Sequence, residues 1–330
     1  MNNTSGLITE ISRLRGSNVL CYIGGDRQTI STRIAPDIIP VFYKHLELLG
    51  PSEKIDLFLF TKGGDVLTAL RLVHLLYEYT DNFSVLIPYK AYSAGTLISL
   101  GASEIIMGKL GELSPVDPNI TSVFNPVDPA NPQMKLAINV EDVYSYFSIA
   151  KNEVGIQGDD ALAGVFKHLI EQVHPLAVGT IHRTYSLIRL IARRLLLTHM
   201  DASRQSEIDE IVNTLTEKLF AHNYMISRME ARDTLKLPVT FSEPQLETLM
   251  WELYENYKDQ LELERPFIPE EIADMNGNFS VNCGVIDSIN RLDGYVFEGV
   301  IQKSAAPNQA YQNNVSITHQ GWKTLERSGQ

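Results

Sequence analysis

Twice between residues 55 and 102 the chain repeats one local plan: a short apolar run, a turn built on small residues, then apolar positions at helical spacing. The first copy runs from residues 55–60 (IDLFLF) through Thr61-Lys62-Gly63-Gly64-Asp65 to Val66, Ala69, Leu70, Val73 and Tyr77. The second runs from residues 83–88 through Tyr92-Ser93-Ala94-Gly95 into the small-residue apolar stretch 96–102. Apolar runs bounded by turn signals read as buried strands, and i, i+3, i+4, i+7 recurrence reads as one face of a helix. Strands and helices in alternation predict an α/β core with a largely parallel sheet and right-handed crossovers.

Ser93 falls at a strand-to-helix junction. A hydroxyl there stands beside a helix N-terminus, whose free N–H groups and positive partial charge suit an anion. Two roles fit: an N-cap, at which serine is among the best residues, or a nucleophile. Paired glycines such as Gly63-Gly64 more often serve as a structural turn. They also let backbone N–H groups approach a developing oxyanion, and two such turns separated by one helix and one strand are more specific than one.

The segments TKGGD (61–65), YSAGTLISLGA (92–102) and LGELSPVDP (110–118), in this order and spacing, resemble the serine dehydrogenase proteinase family. That family lies within the larger Clp protease and crotonase-like superfamily, which includes signal peptide peptidase A. The resemblance spans residues 15–240 and is carried by the three motifs. It implies a spiral of repeated β-β-α units and a peptide or protein substrate. It further implies Ser93 as nucleophile, with the N–H groups of Gly64 and Ala94 as the oxyanion hole. Clp proteases supply Ser, His and Asp in that order, whereas signal peptide peptidase A uses Ser and Lys. Here Ser114-Pro115-Val116-Asp117 stand where the Clp histidine is expected, and His222 with Asn223 precede SRMEA, where the aspartate is expected. One reading is a triad with its supports exchanged, His222 as base and Asp117 as orienting carboxylate, since triads are defined by geometry rather than order. His174, His182 and a dyad lysine (Lys135, Lys151 or Lys167) remain alternatives, because a buried lysine can lose its proton near neutrality. Asp117 before a proline also suits a loop, and His222 after a helical pattern also suits a helix dipole. Crotonase-type thioester chemistry on the same oxyanion hole, or an oligomeric scaffold without catalysis, are the competing functions.

With 28 basic and 40 acidic residues the net charge is −12, which disfavours a nucleic-acid or anionic-membrane binder. No apolar run reaches the ~18 residues of a membrane span, and residues 1–6 are polar, unlike a signal sequence. A cytoplasmic location is the default expectation. Cys21 and Cys283 are read as two buried thiols, and the eight histidines show no ligand-spaced pair, so no metal or cofactor is expected.

Elsewhere the pattern predicts strands at 18–23 and 103–107, and helices at 36–49, 65–79, 93–101, 140–154, 160–173, 176–198, 207–220 and 244–260, the last with Trp251 on its buried side. The five prolines of 114–133 predict a surface loop. Arg183, Arg189, Arg193 and Arg194 make 176–198 basic, which reads first as ion pairing inside the protein. Apolar stripes such as 187–197 suggest a homo-oligomer. Residues 279–286, 294–301 and 314–319 alternate between turns, so 263–330 is read as a small β-rich appendage to a 1–262 hydrolase domain.

Overall fold

The computed structural model describes residues 3–116, 119–120, 123–136, 138–219, 221, 224–304 and 312–327. In chain order it opens with α1 (Thr4–Arg15), β1 (Asn18–Gly24), α2 (Ile38–Leu49), β2 (Ile55–Phe60), α3 (Val66–Tyr77), β3 (Phe83–Ile87), β4 (Lys90–Ala91), α4 (Ala94–Leu100), β5 (Glu104–Met107) and β6 (Glu112–Leu113). There follow β7 (Asn119–Ile120), β8 (Ile138–Asn139), α5 (Val140–Ser148), α6 (Asp159–Gln172), α7 (Pro175–Leu196) and α8 (Gln205–Asn213). The chain closes with β9 (Ile226–Ser227), α9 (Arg228–Asp233), β10 (Val239–Phe241), α10 (Pro244–Gln260), α11 (Pro269–Ile272), β11 (Asn278–Ser288), β12 (Arg291–Ser304) and β13 (Gln312–Thr324).

Two compact units result, one of residues 1–113, 195–200 and 225–330, the other of residues 114–194 and 201–224. The first holds an eight-stranded sheet in the order β10-β5-β3-β2-β1-β11-β12-β13. Its first five strands pair in parallel, as the alternating plan predicts, and the last three add antiparallel. All six residues of β2 are buried, the pattern of a strand covered on both faces. On one face α1 and α10 deliver Ile8, Ile11, Leu253 and Tyr257 against Cys21, Phe58 and Phe60. On the other face Tyr22 packs on Phe42 of α2, ring centroids 6.1 Å apart. Each such side chain contributes ~1.5–3 kcal/mol on leaving water. Cys21 and Cys283 are free thiols, both buried.

The C-terminal strands form an antiparallel unit, but one that extends the main sheet. β11 pairs with β1 from Leu20↔Ser288 to Gly24↔Gly284, and the compact units divide elsewhere than at residue 262. Trp251 is half-buried and packs against the α1–α10 core, on the buried side of its helix as the pattern predicts. The stretch 140–154 is not one α-helix: α5 ends at Ser148 and the chain continues as a π turn, Ile149–Glu153. Likewise α8 gives way to a π turn at Thr214–Lys218.

The second unit is mainly helical and has its own small apolar cluster, Val140, Ile181 and Tyr185. Two arginines of α7 are ion-paired within it. Arg189 holds Glu217 at 2.6 Å and also donates to Asn213 and Thr216, while Arg193 pairs with Asp209.

Candidate active site

The two glycine and small-residue turns are stitched together by backbone bonds at the carboxyl ends of β2 and β3. The Thr61 N–H donates to the Lys90 carbonyl at 2.8 Å, and the Tyr92 N–H donates to the Thr61 carbonyl at 3.0 Å. The buried Thr61 hydroxyl accepts the Gly63 N–H at 3.0 Å, which tightens the turn from within. Gly63 sits at φ 104°, and a Cβ there would lie 2.7 Å from Ser93 Cβ and 2.8 Å from the Tyr92 carbonyl oxygen. Nothing larger than glycine fits while Ser93 holds its place. At Gly64 a Cβ would fall 2.1 Å from the Ile34 carbonyl oxygen. That carbonyl takes the Asp65 N–H at 2.8 Å, and the Ile34 N–H donates to Gly63 O at 3.0 Å. The N–H groups on both sides of Gly64 are thus committed, and Gly64 itself is exposed. Asp65 then caps α3, its carboxylate accepting the Thr68 N–H at 2.7 Å.

Ser93 occupies the N-cap position of α4 at φ 51°, ψ −110°, and its side chain makes no capping hydrogen bond. The capping role open to it on sequence grounds is therefore not the one it plays. A non-glycine residue in so sparsely populated a conformation costs on the order of 1–3 kcal/mol and persists only where its surroundings enforce it. Here Gly95 N–H returns to Tyr92 O at 2.8 Å and Leu97 N–H to Ser93 O at 3.0 Å, so the helix begins directly behind the strained residue. Ala94, the first residue of α4, is buried at that helix N-terminus.

These turns and the strand that follows them lie within one recognisable stretch. Residues 43–142 match the family of ClpP-like SDH-type serine proteinases. All three motifs fall inside it, and the resemblance to the serine dehydrogenase proteinases is borne out on them. An uncharacterized protein of Methanocaldococcus jannaschii is 28% identical over 232 residues, covering 69% of this chain and 68% of its own length. A second uncharacterized protein of that organism is 35% identical over 124 residues, 34% of this chain and 41% of its own.

Around the proteinase motifs lie charged groups that the sequence did not single out. Asp26 receives Lys62 at 3.3 Å and Lys90 at 3.7 Å, and the Lys90 ammonium lies 4.5 Å from the centre of the Tyr89 ring. The Tyr92 phenol donates to Glu112 of β6. Burial first, then the bond to Glu112 and its negative charge, push the phenol's pKa up, so it stays a donor. Thr61, Lys62, Tyr92 and Glu112 all stand inside the motifs, which was the available signal. Their side-chain pairing was not.

Asp117 and His222 both lie outside the described residues. Within the second unit His174 accepts the Leu176 N–H at 3.2 Å and stacks on Phe124, and His182 lies 3.3 Å from the Tyr144 hydroxyl. Lys135, Lys151 and Lys167 are exposed. Among the described residues no group of three or more His, Cys, Asp or Glu side chains could hold a metal ion, and no helix is long and apolar enough to cross a membrane.

Proposed function

We propose that the chain is a serine peptidase acting through an acyl-enzyme on Ser93. The observation that carries this reading is the strained backbone of Ser93, half-buried and pressed against Gly63 in a serine-proteinase motif. Attack of Oγ on a peptide carbonyl forms a C–O bond and moves the π electrons onto oxygen. The N–H groups of Gly64 and Ala94 are the donors we assign to that oxyanion, the second reinforced by the α4 N-terminus. Collapse of the tetrahedral adduct expels the amine, and water then releases the acid. The base is assigned to His222 oriented by Asp117, on a Clp-crotonase-like spiral of β-β-α units. Thioester chemistry of the crotonase kind needs the same oxyanion donors and no nucleophilic serine, and a scaffold needs neither.

A fluorophosphonate separates these readings. It is expected to form one adduct, on Ser93, located by mass spectrometry of the digested protein, and to form none in Ser93→Ala. An adduct elsewhere, labelling that survives Ser93→Ala, or an inert wild-type protein refutes the assignment.

A further inference from the structure

Glu112, in the third motif, has no part in the reaction as assigned, yet it is joined to the residue beside the nucleophile. β6, where it sits, pairs in parallel with β4, Lys90 opposite Glu112 and Ala91 opposite Leu113, and the Glu112 N–H donates to the Tyr89 carbonyl at 2.6 Å. From that fixed strand its carboxylate accepts the phenol of Tyr92, the residue immediately before Ser93. The main chain of Tyr92 is meanwhile held by Thr61 on one side and by Gly95 on the other. The peptide entering Ser93 is thereby fixed from three directions, two through backbone and one through the side chain. A residue at φ 51° relaxes when any restraint on its neighbour is removed, unless the remaining ones suffice.

We propose that Glu112 is a positioning residue for Ser93, acting through the Tyr92 phenol to hold the nucleophile's backbone in its strained, reactive conformation. The proposal rests on Ser93 being the nucleophile. Removing either partner frees the same restraint, so Tyr92→Phe and Glu112→Ala should slow reaction similarly, and the double variant should be no slower than either alone. Loss of alignment by about an ångström costs on the order of 100-fold. The hydroxyl of Tyr92 is spent on Glu112, so substrate affinity should hardly change.

The test measures the second-order rate of fluorophosphonate labelling of Ser93, and kcat and KM on a peptide or ester substrate, in the four variants Tyr92→Phe, Glu112→Ala, the double, and Glu112→Gln. Thermal unfolding by circular dichroism confirms that each is folded at the assay temperature. Expected are a fall of ~10–100-fold in labelling and in kcat for each single variant, KM within about 2-fold, no further loss in the double, and recovery of most of the rate in Glu112→Gln, whose amide oxygen still accepts the phenol. Wild-type rates in folded single variants, losses that multiply in the double, or an effect confined to KM would overturn the proposal while leaving Ser93 as nucleophile. A wild-type protein that does not label at all overturns both, and so the two failures are told apart.

Discussion

Two serines of the first unit invite comparison, one enclosed in a buried Ser-His-Asp chain of bonds and one placed on a strained turn at a helix start. Ser288, at the end of β11, faces His45 Nδ1 at 2.8 Å, and His45 Nε2 faces Asp293 at 3.0 Å. The three have Ser-His-Asp composition and hydrogen-bond spacing, yet their exposures are 0%, 0% and 2%. Asp293 is further bound by Arg291 and Thr324. This chain of bonds clamps α2 to the β11–β12 hairpin, and no substrate reaches it. Ser93 stands on a strained turn, with a helix behind it and two glycines in front. Composition places a nucleophile less securely than access and backbone geometry do, since reaction needs room for a carbonyl and donors aimed where its oxygen goes.

The sharpest way to break the comparison is to exchange the outcomes. Ser93→Ala should cost on the order of 10^3-fold or more in turnover and abolish labelling, while Ser288→Ala leaves the labelling rate unchanged. A fluorophosphonate adduct on Ser288 in the native protein would reverse the assignment of roles.

Next in size is His45→Ala, which leaves the buried Ser288 hydroxyl and Asp293 carboxylate each short of a partner. Buried groups stripped of partners cost on the order of 1–3 kcal/mol each, so roughly 3 kcal/mol of stability should be lost in urea unfolding. Reactivity of the folded fraction at Ser93 should stay at the wild-type level. A variant as stable as wild type would mean that the buried clamp contributes little.

Gly63→Ala probes the other region through its backbone. The φ of 104° and a Cβ placed 2.7 Å from Ser93 Cβ leave the added methyl no room. The turn or the serine must shift, and labelling should fall about 100-fold. Equal labelling in Gly63→Ala would show that Ser93 does not depend on that contact.

The contrast also shows what the chain disclosed before folding and what it did not. Residues 55–60 and 244–260 were legible to the residue, because a short apolar run and a proline-started amphipathic pattern are local signals. Ser93 was legible as a junction but not as a strained one, for serine suits both an N-cap and a nucleophile. The joining of β11 to β1 was not legible: antiparallel partners that meet across the whole chain leave no mark in either strand alone. His45 and Ser288, 243 positions apart, met for the same reason. The π turns that end α5 and α8 carry no proline or glycine to announce them, so the helical spacing of 140–154 and 207–220 runs through both without a break.

The smallest effect separates the two regions by pH. Burial alone would raise the pKa of Asp293, but bonds from His45, Arg291 and Thr324, with the charge of Arg291, outweigh it and hold the carboxyl at about 2 against an ordinary 3.8. A carboxyl whose folded value is depressed binds its proton more readily in the unfolded chain. Its contribution is therefore complete above about pH 4 and disappears as pH falls through about 2. A shift of that size corresponds to roughly 2 kcal/mol. Urea midpoints taken between pH 5 and pH 2 should fall more steeply in the wild-type protein than in Asp293→Asn, with the difference confined to the window between about pH 4 and 2. Parallel curves would mean that Asp293 is not held as its partners indicate, and that the buried serine's clamp is packed rather than charged.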